Sequence, residues 1–201
     1  MIKIDSLVKR YDRRTILNIH SFRFLKGMSY LLIGENGSGK STLIKMMLRL
    51  VKPDCGTIDL KTNEIGFIPE KVYFPEFSTV KQFLKNLCLI RKFDDKEADA
   101  RIDFFMQEWD LENKQLSKLS KGMRQKVLII QAIMHMPKLY IFDEPLNGLD
   151  KVMQKKFLAY IQKLRLHKKT IIIATHYPKY YQGMGDIKVN LINGELYEKS
   201  N

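Results

Sequence analysis

The stretch SYLLIGENGSGKSTLIKMMLRL, Ser29 to Leu50, decides the reading of this chain. SYLLI, Ser29 to Ile33, is a short apolar run of the buried-strand kind. GENGSGKS, Gly34 to Ser41, fits G-x-x-x-x-G-K-[ST], and Leu43, Met46, Met47 and Leu50 then recur at helical spacing. Strand, glycine-rich loop and helix in that order make a cradle for phosphate. Glycines let backbone N–H groups turn toward an anion, and the helix N-terminus adds partial positive charge. Lys40 can reach β and γ oxygens, the Ser41 hydroxyl can ligate Mg²⁺, and Thr42 can contact an α-phosphate. Gly34, Asn36, Gly37, Ser38 and Gly39 form the loop around them. The pattern predicts a nucleotide site.

LYIFDEP, from Leu139, supplies a second element about 100 residues downstream. Asp143, at the end of a buried strand, can hold Mg²⁺ through a water. Glu144 follows and points elsewhere, so it can polarise an attacking water. An apolar run ending in two acids says little alone. Paired with the phosphate loop it carries weight.

Further strands are expected at Ile2–Val8, Thr15–Phe24, Thr57–Leu60, Ile65–Ile68 and Thr170–Thr175, with a closing hairpin around Asn193-Gly194. From about Val80 to Met136 the pattern is helical. Phe83, Leu84, Leu87 and Cys88 share one face, and Ile102, Phe105, Met106 and Trp109 another. Val127, Ile130, Gln131 and Met134 define a third helix, and Lys151 to Leu166 is amphipathic. Strands at both ends with helices between them indicate an α/β core carrying a helical insertion.

The 201 residues suit one domain. A hydrophobic share of 45% with 28% charged residues excludes bulk disorder. No apolar run approaches the roughly 20 residues of a membrane span, and the N-terminus lacks an apolar signal core, so secretion is not expected. Cys55 and Cys88 stand 33 positions apart with no CxxC, which reads as two free thiols in a reducing cytosol. Lys and Arg number 35 against 22 Asp and Glu, a net charge of +13. Such a surface favours anionic partners, but the basic residues are scattered from Lys3 to Lys199 without one dense block.

Read together with LSKGM (Leu119 to Met123), NGLD (Asn147 to Asp150) and the histidine of ATH, the two phosphate-site elements resemble those of the ATP-binding cassette (ABC) ATPases, in the family's order and over essentially the whole chain. The resemblance implies a P-loop NTPase core with an antiparallel β subdomain and an inserted α-helical subdomain, roughly residues 71–136 of a single domain spanning 1–201. It implies that Tyr11 stacks on adenine, that Gly34 to Thr42 is the Walker A loop, and that Asp143 and Glu144 are the Walker B aspartate and catalytic glutamate. His176 would be the switch histidine on the γ-phosphate and Asp150 would belong to the D-loop. Ser120 and Gly122, in a signature segment, would reach the nucleotide of a second ATP-binding subunit packed head-to-tail, as a homodimer or heterodimer.

Three departures are visible. Lys121 and Met123 stand where the signature commonly has Gly and Gln. IGFIPE ends in Glu70 where a glutamine is usual; the acid can still offer oxygen to Mg²⁺ but lacks the amide donor. The chain stops soon after its last hairpin, so the C-terminal regulatory domains of some members are not expected. ATP and Mg²⁺ are the implied substrate and cofactor. The implied function is to power a membrane transporter, export-type by analogy, with separate transmembrane permease subunits, peripheral to the cytoplasmic face of the cell membrane. The alternative is a soluble ATPase acting on the ribosome or nucleic acid. Such ribosomal relatives usually carry two cassettes, and DNA-maintenance relatives insert long coiled coils, whereas only 80 positions separate Lys40 from Ser120 here without a sustained heptad. Nucleic acid is therefore not the expected partner.

Overall fold

A computed structural model describes residues 2–199. Alternating burial along β1 (Ile2–Tyr11) inserts Ile2, Ile4 and Leu7 into a core and leaves the intervening side chains toward water. β1 pairs antiparallel with β2 (Arg14–Phe24) and β4 (Cys55–Leu60), giving a three-stranded sheet in the order β2-β1-β4. Asp12 and Arg13 join β1 to β2 with φ of 45° and 68°, as a two-residue hairpin turn requires.

The second sheet has six strands in the order β5-β6-β7-β3-β8-β9. β3 (Ser29–Ile33), β5 (Ile65–Ile68), β6 (Leu139–Asp143), β7 (Thr170–Thr175) and β8 (Ile187–Ile192) run parallel, and β9 (Glu195–Lys199) returns antiparallel to β8. Every residue of β6 and β7 is buried. Helices cover both faces, which is why these strands are uninterrupted apolar runs rather than alternating ones.

Among the described residues five α-helices complete the fold: α1 (Lys40–Met47), α2 (Val80–Ile90), α3 (Asp95–Glu108), α4 (Lys121–Ile133) and α5 (Lys151–Leu166). The sheet divides the core in two. Tyr140, Phe142, Ile171 and Ile173 pack with α2, α3, α4 and α5. Leu139, Ile141, Ile172 and Ala174 pack with α1 and the three-stranded sheet. The period of two along a strand produces this partition.

α1 is shorter than its spacing predicted. It ends at Met47, and Leu50, expected on its apolar face, is 66% exposed. Arg49 turns left-handed (φ 59°), and the N–H groups of Arg49 and Leu50 donate back to the Met46 and Lys45 carbonyls at 3.0 and 2.8 Å. That Schellman turn stops the helix without a glycine to announce it. The chain leaves β3, β6 and β7 at their C-terminal ends into Gly34, Glu144 and His176, and those ends share one edge of the sheet. This edge is where open α/β sheets bind ligands.

Candidate functional site

The loop from Gly34 to Gly39 carries the chain from β3 into α1. A Cβ on Gly34 would lie 2.5 Å from the Ser38 hydroxyl, so the loop closes on itself only because that atom is absent. Gly39, at φ 103°, begins α1 in the left-handed region and supplies no side-chain cap. The first N–H groups of α1 are thus left for something other than the protein. The Lys40 ammonium bends over the loop and donates to the Gly34 and Glu35 carbonyls at 2.7 and 2.9 Å. Burial pulls the Lys40 ammonium below the ordinary lysine value, while Glu144, Asp143 and Glu70 act in the opposite direction.

Asp143 closes β6 and is buried. Burial raises its carboxyl above the usual carboxylate range, a hydrogen bond from the Ser41 hydroxyl lowers it, and Glu70 and Glu144 add repulsion. Its Oδ1 is buried without a hydrogen-bond partner. An unpaired carboxylate oxygen beside a serine hydroxyl is a hard-oxygen donor set that fits Mg²⁺. No cluster of three or more His, Cys, Asp or Glu side chains suited to a metal occurs among the described residues. Water and phosphate oxygens would complete any Mg²⁺ shell here.

Glu144 adopts φ 50°, a left-handed conformation strained for a residue with a Cβ, and its N–H donates to the Ala174 carbonyl at 3.0 Å. The turn sends its carboxylate toward the end of β7. Oε1 accepts from the His176 backbone N–H at 2.8 Å and lies 2.5 Å from His176 Nδ1, and Oε2 accepts from the Thr175 hydroxyl at 3.1 Å. The His176 ring in turn lies against Tyr177, with centroids 3.7 Å apart.

One cavity of about 240 Å³ is lined by Tyr11, Asn36, Gly37, Gly39, Lys40, Ser41, Thr42, Glu70, Asp143 and Glu144. Ile16 also lines it, an apolar contact that the sequence reading did not single out. Gly34, Ser38 and His176 line instead a larger concavity of about 970 Å³, which shares Ile16, Asn36 and Gly37 with the first. The loop is the wall between them. His176 therefore meets this site through Glu144 in the described conformation.

Ser120, Gly122 and Asp150 line neither cavity. The Ser120 hydroxyl caps α4 by accepting from the Met123 N–H at 3.2 Å, and Asp150 caps α5 by accepting from Val152 and Met153 at 2.9 Å. The segments around them nonetheless meet. A Cβ on Gly122 would lie 3.0 Å from the Gly148 carbonyl, the Lys121 stem covers Gly148, and the Gln125 amide donates to the Pro145 carbonyl at 2.8 Å. Leu119 to Met123 and Asn147 to Asp150 thus form one surface away from the cavity.

Residues 17–147 match the family model described as ABC transporter. The bacitracin transport ATP-binding protein BcrA of Enterococcus faecalis is 32% identical, over all of this chain and 69% of its own length. The zinc import ATP-binding protein ZnuC of Buchnera aphidicola is 32% identical over 87% of this chain and 74% of its own length. A solved structure of the ATP-binding subunit of an ABC transporter superposes with a TM-score of 0.90 at 27% identity, covering 100% of this chain and 90% of that one. The fold is therefore the α/β P-loop NTPase type.

Proposed function

Because the chain belongs to the ABC transporter family of ATP-binding ATPase subunits, we propose that the 240 Å³ cavity binds ATP and hydrolyses it to drive an export-type transporter. The observation that carries this reading is the convergence itself: one cavity holds the phosphate loop, the Asp143 and Glu144 pair, and an aromatic from a separate sheet.

In the proposed chemistry the Tyr11 ring covers the base and the uncapped N-terminus of α1 receives the phosphates. The Lys40 ammonium exchanges its two loop carbonyls for β and γ oxygens. Asp143 and Ser41 would hold Mg²⁺, with Glu70 lining the same cavity as a further oxygen donor, and the ion when bound would supply charge neutralisation on the phosphate oxygens. Glu144 orients water toward the γ-phosphorus and takes up its proton as the bond to ADP breaks. Glu144 is aimed for this by Thr175 and by both the N–H and the imidazole of His176. Because Ser120, Gly122 and Asp150 lie outside the cavity, their action on nucleotide requires a second cassette packed head-to-tail.

The permease subunits are separate polypeptides in this reading. Among the described residues no helix is long and apolar enough to cross a membrane. Tyr73 and Phe77, 97% and 91% exposed between Glu70 and α2, offer apolar contact to a partner at the cytoplasmic face. The decisive experiment is reconstitution of the chain with the membrane protein that co-purifies with it in gentle detergent. ATP-dependent movement of substrate out of the cytoplasmic side supports the reading. Movement inward would reassign direction, and ATP hydrolysis with no membrane partner would remove the transport role.

A further inference from the structure

At the opposite end of the core sheet lies a concavity of about 1020 Å³, lined by Lys26, Arg49, Lys61, Lys138, Lys168 and Lys169. Its floor includes Leu139 and Thr170, the first residues of β6 and β7. The nucleotide cavity lies where β6 ends, about 13 Å away at the usual rise per residue. The two cavities have no lining residue in common.

These six Lys and Arg residues share the lining with a single carboxylate, Glu64, and with His167. Glu64 is taken by Lys138 at 2.9 Å, Lys61 pairs outward with Asp59 at 3.4 Å, and Lys169 donates to the Met136 and Pro137 carbonyls. Lys26, Arg49 and Lys168 have no ion pair and no side-chain hydrogen bond among the described residues.

Two of those three occupy positions where glycine is the usual residue. Arg49 and Lys168 each follow a helix cap in the left-handed region, at φ 59° and 51°. Lys168 and Lys169 repeat for α5 the turn already described for α1, donating to Arg165 and Leu164 at 2.8 and 3.0 Å. A long basic side chain at each site is held in a backbone conformation that a Cβ disfavours. The plain alternative is that both cations only offset the negative helix C-termini. Those two dipoles amount to about one charge together, which leaves most of the excess unbalanced. The excess is also concave, in the size class of small-ligand sites. No Phe, Tyr or Trp lines the cavity, and its planar groups are the His167 imidazole and the Arg49 guanidinium, so the cations rather than an aromatic platform dominate what it offers a ligand.

We infer that this cavity is a second anion site, which takes a small polyphosphorylated molecule and recognises its phosphates rather than a base. Inorganic tripolyphosphate is the probe, titrated calorimetrically into the full chain at low ionic strength. The chain with Lys40→Ala, which weakens the phosphate loop, should still bind it. Adding Lys26→Ala, Arg49→Gly and Lys168→Gly should lower that affinity by about tenfold or more. Glycine suits both left-handed sites, so thermal unfolding should show an intact fold. If the combined variant does not fold, Lys26→Ala alone should still weaken binding by about twofold to threefold. In the otherwise unaltered chain the same three substitutions should leave ATP hydrolysis unchanged. Equal tripolyphosphate affinity with and without the three cations would overturn the site. So would a loss confined to oligonucleotides or acidic vesicles, which would assign the patch to a macromolecular polyanion.

Discussion

Helix α1 begins open and helix α4 begins closed. Gly39 gives α1 no side chain with which to bind its own first N–H groups, and Lys40, Ser41 and Thr42 line the cavity. α4 starts at Ser120, whose hydroxyl is already engaged by the Met123 N–H. α2, α3 and α5 are closed in the same way by Thr79, Asp94 and Asp150. A capping side chain and a bound anion compete for the same donors. The open start is therefore a phosphate receiver as it stands. The closed start of α4 is held in shape and presents only what remains of Ser120 and its neighbours to a partner.

The comparison is tested most severely by Glu144→Gln, which leaves the open helix start untouched and removes the carboxylate beside it. Turnover should fall by about 10²–10⁴-fold while ATP binding persists. Light scattering with Mg-ATP should then report a trapped dimer, and near-normal turnover would remove Glu144 from the chemistry. Next in size is Tyr11→Ala. It should weaken nucleotide affinity by about 1–3 kcal/mol, on the scale of base stacking, with little change in saturated turnover. Unchanged affinity by calorimetry would leave Tyr11 as a strand residue only.

Ser120→Asp sharpens the contrast at the closed end, because aspartate caps a helix as well as serine does. The melting temperature should stay within about 2 °C. If Ser120 faces the partner's nucleotide, the added negative charge should cut ATPase activity by about tenfold or more. Unchanged activity would reduce Ser120 to its cap. The smallest effect is expected from Glu70→Gln, which removes one of the three acids around Lys40. ATP binding should be retained, with about twofold to threefold more Mg²⁺ needed for half-maximal activity. Superimposable magnesium titrations would leave Glu70 with no metal role.

The parts legible in the sequence are those whose physics is local. Buried strands announce themselves as apolar runs, so β6 and β7 have the limits expected of them, and the amphipathic period sets α5 at Lys151–Leu166. The phosphate loop was legible because glycines, lysine and serine must occur at fixed offsets. The end of α1 was not, since Arg49 stands where a glycine would have signalled the turn. Nor was the grip of His176 and Thr175 on Glu144, which depends on a left-handed Glu144 and on two strands brought side by side from 32 positions apart. The resemblance assigns Ser120 to a partner's nucleotide and Asp150 to the D-loop, whereas one chain displays both as helix caps.

The two-faced core has a consequence for inheritance. Because β6 and β7 turn Tyr140, Phe142, Ile171 and Ile173 to the helices and Leu139, Ile141, Ile172 and Ala174 to the other side, substitutions under one face need no compensation under the other. A transplant of residues 71–136 from a relative would have to match the first set of four, together with β5, α5 and the turn at Pro145–Gly148, but none of the second set. The strand ends that carry Asp143 and His176 would keep their footing. Lineages of this fold are thus free to redraw the helical side, where a partner is met, on a different schedule from the side that seats the phosphate loop.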